Sequence, residues 1–124
     1  MKEVAGVQYQ SDYVLRLIEQ MGGLIRRAME RFRVGSDEEP YEMAGQALSL
    51  ALEMDPRTIE RLAPRSLVAL LEMTSLDDRV ILMVAEAIEL QAEVLERQGE
   101  LVGAGVRRQQ AEAVRTLLDP ARAN

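Results

Sequence analysis

The sequence predicts an all-α fold of helical hairpins, with four long helices and two short ones. Three observations carry this expectation. Apolar residues recur at steps of three and four along most of the 124-residue chain, which places them on one stripe of a helix. No stretch alternates apolar and polar residues as a half-buried strand would. Gly and Pro stand at spaced points, where they punctuate rather than interrupt.

The first long helix is expected from residue 12 to about 33. Val14, Leu17, Ile18, Met21, Leu24, Ile25, Ala28, Met29 and Phe32 form its stripe, and Ser11 or Asp12 caps its start. Gly22-Gly23 either let a neighbour approach closely or mark a kink, and Gly35 ends the helix in a left-handed conformation. Ser36-x-x-Glu39 resembles a capping box, but that register puts Pro40 at the fourth helical position, where its missing N–H begins to matter. The second helix is therefore expected to start at Pro40 and run to about Met54. Tyr41, Ala44, Ala47, Leu48, Ala51 and Leu52 face inward.

Asp55-Pro56 caps a short helix over 56–62, and Pro64 with Ser66 starts another over 65–73 that buries Leu67, Leu70 and Leu71. Ser75 followed by Asp78 opens the next helix, Leu76 to about Gln98. Its stripe is Val80, Val84, Ala87, Ile88, Gln91 and Leu95, widened by Ile81 and Val94. Gly99 breaks it. The last helix, Glu100 to about Leu118, uses Val102, Val106, Ala113, Val114 and Leu117, and Asp119-Pro120 stops it. The whole forms one domain, with 1–10 and 119–124 as frayed ends.

Composition narrows the chemistry. There is no Cys and no His, which removes disulfides, thiol nucleophiles, the usual base near neutral pH and the commonest metal ligand. A metal would have only carboxylates to bind it, and Asp77-Asp78 with Glu72 or Asp55 lack the spaced acidic loop and central Gly of a calcium site. Helix capping explains them better. No base accompanies Ser, Thr or Tyr in a known catalytic pattern. No enzyme activity, metal or cofactor is therefore expected. The N-terminus lacks the apolar run of a signal peptide, and no segment reads as a membrane span, so a cytoplasmic location is expected.

The net charge of −6 is uneven: residues 1–35 carry +2, 36–100 carry −10 and 101–124 carry +2. The middle repels phosphate, which disfavours a nucleic-acid partner. Arg26, Arg27, Arg31 and Arg33 suit the C-terminus of a helix. Arg107, Arg108 and Arg115 form a weaker patch, and Asp12 with Arg16 form an exposed pair one turn apart. Most of the seven Met residues read as core filling.

Residues 41–56, YEMAGQALSLALEMDP, resemble the second helix of a tetratricopeptide repeat, with Tyr41, Ala44, Ala51, Asp55 and Pro56 at matching spacing. Ala92, Leu95, Gly99, Ala104 and Ala111 suggest a second copy. That copy departs from the pattern. Ile88, Gln91 and Ala92 replace the Trp-Leu-Gly signature, Arg108 replaces an aromatic, and Asp119-Pro120 comes a turn late. Tyr9, Asp12, Tyr13, Arg16, Ile18, Glu19 and Gln20 resemble the opening of a bacterial family of short all-helical proteins, grouped as a domain of unknown function.

The bacterial-family resemblance implies an all-α hairpin fold and no activity. The repeat resemblance implies a tetratricopeptide-like, right-handed array that binds a protein in a groove lined by the outward positions of a first helix, here Glu86, Glu89, Glu93, Glu96 and Arg97. Four carboxylates on one face favour a basic peptide, and a solvated helix face is the plainer account. The expected partner is another protein, or a second copy in a homodimer. A regulatory or nucleic-acid adaptor and a small-molecule-binding helical protein are the alternatives.

Overall fold

The computed structural model describes the backbone of residues 2–118 and the side chains of residues 11–118. It is all-α, with no strand among the described residues. In chain order the helices are α1 (Lys2–Arg33), α2 (Glu38–Leu52), α3 (Pro56–Arg61), α4 (Pro64–Thr74), α5 (Asp78–Arg97) and α6 (Leu101–Arg115). A single 3₁₀ turn, Thr116–Leu118, follows. The four long and two short helices are thus present. The expected stop at Asp119-Pro120 and the frayed tail lie outside the described residues.

Two hairpins form the body. α1 packs on α2 across a turn at 34–37, and α5 packs on α6 across 98–100; α2 bridges them by lying on α5. One apolar cluster joins these helices with α3 and α4. It runs from Leu17, Met21 and Ile25 through Leu48, Ile59, Leu67 and Leu71 to Val84, Ile88 and Val114.

Glycine makes both hairpin turns. Gly35 (φ 100°) and Gly99 (φ 82°) take the left-handed conformation that side chains resist. In each turn the glycine amide and the one after it return to the helix. Gly35 N bonds Phe32 O at 3.1 Å and Ser36 N bonds Arg31 O at 3.0 Å; Gly99 N bonds Glu96 O at 3.0 Å and Glu100 N bonds Leu95 O at 2.8 Å. This doubled pattern satisfies carbonyls that a helix end leaves open. α2 and α4 also end left-handed, but on Glu53 (φ 54°) and Ser75 (φ 50°), where no glycine signals it.

Several boundaries differ from expectation. α1 does not start at Ser11 or Asp12 but extends back to Lys2, because residues 2–10 hold no Pro and the single Gly6 only weakens a helix. α2 starts at Glu38 rather than Pro40. With Asp37 as its cap, Pro40 falls at the third helical position, whose N–H has no helical acceptor anyway. The cap of α5 is Asp77 rather than Ser75, accepting from Arg79 N at 2.8 Å. Asp55 caps α3 as expected, accepting from Arg57 N at 2.8 Å.

Burial on α5 follows the expected stripe, with Leu95 only partly covered. On α1, Met29 is exposed instead of buried. At Gly22 an added Cβ would lie 3.5 Å from the Met83 Cε of α5, an ordinary contact distance, and α1 runs through Gly22-Gly23 without a break. The greatest departure is α6. Val102, at 85% exposed, and Val106 point outward, while Ala104, Arg107, Gln110, Ala111 and Val114 face inward. Small residues let α6 lie close on α5; an added Cβ at Gly103 would stand 3.3 Å from Leu95 Cδ1. The two buried polar side chains of α6 serve α3. Gln110 Nε2 donates to Leu62 O at 2.7 Å and Ile59 O at 3.2 Å. Arg107 donates to the Glu60 carbonyl and, at 2.6 Å, to Gln110 Oε1.

Candidate binding surfaces

The outward face of α5 is where the sequence places its candidate surface, and the structure divides those five residues. Arg97 turns back onto the α1–α2 turn. It donates to Asp37 Oδ1 at 2.7 Å, Phe32 O at 2.6 Å and Ser36 O at 2.6 Å, with its guanidinium 3.6 Å from the Phe32 ring centroid. It is a clamp between the two hairpins. The same contacts explain why the Asp37 carboxylate does not cap α2.

Glu89 and Glu96 are met by α6. Arg115 forms a two-point pair with Glu89, 2.8 Å at each contact, and Arg108 lies 2.7 Å from Glu96. The hydrogen bond to Glu89 raises the Arg115 pKa, against a smaller effect of burial. Among the described residues, Glu86 and Glu93 of the predicted face form no ion pair within 4.0 Å, although the Glu86 charge also favours the charged form of Arg115. Glu93 lines a shallow cleft of about 270 Å³ with Glu89, Arg108, Glu112 and Arg115. The α6 arginine patch read from the sequence is therefore no free patch: Arg107 is buried, and Arg108 and Arg115 are paired.

A second cleft was not foreseen. It has a volume of about 390 Å³ and lies where α2, α3 and α5 meet, lined by Tyr41, Glu42, Gly45, Gln46, Asp55, Pro56, Arg57, Glu60 and Gln91. It continues, through the shared residues Tyr41, Glu42 and Glu60, into an open depression that also takes in Glu38, Leu95, Gln98 and Glu100. Five carboxylates thus border one groove and Arg57 is the one cation among the lining residues. None of the five has an ion-pair partner among the described residues.

The floor of this groove is built with care for polar groups. Tyr41 Oη donates to Glu60 Oε1 at 2.5 Å. Burial, then that hydrogen bond and the Glu60 charge, push the Tyr41 pKa well above the ordinary phenol value, with Arg107 opposing. Tyr41 therefore stays a neutral donor and is no base. Burial lowers the Arg107 pKa, while Tyr41 and Glu60 counter it. Gly45 keeps the cleft open: a Cβ there would stand 3.3 Å from the Pro56 Cβ and 3.4 Å from Gln91 Nε2. Gln91, 1% exposed, donates from Nε2 to Tyr41 O at 3.3 Å, and its Oε1 accepts from no described group. An amide in an otherwise apolar stripe was the available signal in the sequence, because buried polar groups need partners.

Comparison with family models, curated proteins and solved structures found no match. Among the described residues, no helix is long and apolar enough to cross a membrane, and no group of three or more acidic side chains is placed to hold a metal ion.

Proposed function

We propose that this chain is a non-enzymatic interaction module, made of tetratricopeptide-like hairpins, that holds a basic segment of a partner protein. The observation that carries this reading is the groove between α2, α3 and α5. Glu38, Glu42, Asp55, Glu60 and Glu100 border it, and Arg57 is the one cation among its described lining residues. Clustered charge of one sign along a concave surface attracts a segment of the opposite sign and speeds its encounter. The hairpin reading is supported by the small-residue seams, since Ala44, Ala47, Ala51, Ala104 and Ala111 are buried, and by the Asp55-Pro56 junction. The predicted α5 face contributes Glu86 and Glu93 to the same acidic character.

A labelled Arg/Ser repeat peptide, followed by fluorescence anisotropy, tests this. Binding is expected at low salt and should weaken as salt screens exposed charge. Glu42→Gln with Glu60→Gln should weaken it more than Glu86→Gln with Glu93→Gln. Absence of binding to the wild type at low salt defeats the reading.

A second reading, self-association, has one observation in its favour. Leu101, Val102 and Val106 leave apolar surface exposed on one side of α6, and contiguous apolar patches mark association sites. Light scattering at tens of micromolar that shows a monomer alone would remove it.

A further inference from the structure

The geometry points to a seat for a single arginine side chain, supplied by the partner segment, in the cleft beside Gln91. This rests on the proposed basic-segment reading and names the group that anchors it.

Three features converge there. The first is an unanswered acceptor. Gln91 Oε1 is buried and accepts no hydrogen bond, while Nε2 is held by the Tyr41 carbonyl at 3.3 Å. That contact fixes which end of the amide is which, since the reversed amide would set two oxygens together. A buried acceptor without a donor destabilises the fold, so a ligand N–H that reaches it recovers that loss. The second is charge. The Glu60 carboxylate takes one hydrogen bond from Tyr41 and makes no ion pair within 4.0 Å among the described residues, its charge acting on Arg107 without direct pairing, and Glu42 lies on the same wall. The third is a ring. Tyr41 lines the cleft half-buried, and cations are attracted to aromatic faces.

Guanidinium suits this set better than ammonium. Its planar fork carries five donors and stacks on rings, so one group can serve a carboxylate and an amide oxygen together. A cleft of about 390 Å³ has room for it, and the missing side chain at Gly45 leaves space between Pro56 and the Gln91 Nε2. Oε1 is buried, so the incoming group must displace a neighbour to reach it; Glu42 and Gln46, on the cleft wall, are exposed. The predicted α5 face lacks these features, because its cleft holds two arginines already and no orphaned acceptor.

The test uses the full chain with glutamine side-chain amides labelled for NMR. The probes are arginine ethyl ester, its citrulline counterpart, and the Arg/Ser peptide. Arginine ester should shift the Gln91 amide signal in a saturable way and citrulline ester should not. Glu60→Gln should weaken the peptide about tenfold, which is about 1.4 kcal/mol. Gln91→Leu should weaken it several-fold and keeps the fold, because the Tyr41 carbonyl it releases lies within a helix. Peptide binding that leaves Gln91 unmoved and ignores both substitutions overturns the seat while sparing the interaction module. A saturable ester shift without peptide binding supports the seat and removes the polypeptide reading. No Gln91 shift with any probe overturns the seat.

Discussion

Gln110→Leu should destabilise the protein by about 3–4 kcal/mol, although the replacement is apolar, of similar size and made in a buried site. Gln110 is 0% exposed, and its amide meets three groups across 48 to 51 residues of chain. Leu62 O receives its only described hydrogen bond from Gln110 Nε2, at 2.7 Å. Ile59 O keeps the Leu62 N–H at 3.2 Å and so is not orphaned. Arg107 loses its acceptor, Gln110 Oε1, at 2.6 Å. One buried carbonyl left unsatisfied costs about 1–3 kcal/mol, and a bond to a charged donor is worth about 1.5–3 kcal/mol. Lower values apply to the second, because Arg107 retains the Glu60 carbonyl. Urea unfolding followed by circular dichroism should show a lower midpoint at unchanged slope. The apparent melting temperature should fall by roughly 10 °C or more, from a few degrees per kcal/mol at this chain length. A loss under about 1 kcal/mol would refute the reasoning, because it would mean that water serves these carbonyls as well as the side chain does.

Arg97→Ala should cost about 2 kcal/mol, because a partly exposed guanidinium loses bonds to two carbonyls and Asp37 and its place over Phe32; faster amide exchange across the α1–α2 turn checks the location of the damage. Asp77→Ala should cost about 1 kcal/mol as a lost cap. Its hydrogen bonds with Arg79 hold the Asp77 carboxyl below its ordinary 3.8, so the wild-type contribution is complete above that value and vanishes as pH falls through the lower folded value; acid titration of both proteins checks this. Gly99→Ala should cost about 1–2 kcal/mol, since φ is 82° there, and Gly105→Ala, in open helical surface, should not. Tyr41→Phe should flatten the alkaline limb of stability. The folded Tyr41 pKa is raised above the ordinary 10.0, so its contribution is whole below pH 10.0 and declines above it by up to about 1.4 kcal/mol per pH unit; equal slopes for both proteins in urea unfolding at pH 10–11.5 would contradict the assigned role.

Much of the fold is legible in the sequence because helices advertise themselves through periodicity. The stripes of α2 and α5 and the turns at Gly35 and Gly99 are local properties, and the structure places them where the residues imply. The buried stripe of α6 departs from the apolar pattern for a reason that is not local. Val102 and Val106 are better hydrophobes than Arg107 and Gln110, yet α3 offers carbonyls at 59–62 that polar side chains on α6 can reach. Those carbonyls come from a six-residue helix far away in the chain, so no window of sequence contains the reason. The same holds for Arg97. Its spacing puts it on the outward face with Glu86 and Glu93, but a long side chain near the end of α5 can fold back onto the α1–α2 turn. The acidic groove was illegible because its carboxylates come from α2, α3 and the α5–α6 turn.

Gln91 and Gln110 form a natural comparison. Both are the same residue type, both are nearly inaccessible, and both occupy inward positions on the α5–α6 hairpin. Burial of an amide is costly unless both of its ends are used. Gln110 uses both: its nitrogen serves α3 and its oxygen accepts from Arg107. That residue is explained by folding alone. Gln91 uses only its nitrogen, and a leucine there would fill the stripe without leaving an orphaned oxygen. Its place beside Glu60 and Tyr41, under a wall kept open by Gly45, is what a donor-bearing ligand requires and what a core position does not. The difference between the two glutamines therefore favours, for the proposed binding, the cleft of α2, α3 and α5 over the outward carboxylates of α5, two of which α6 already answers.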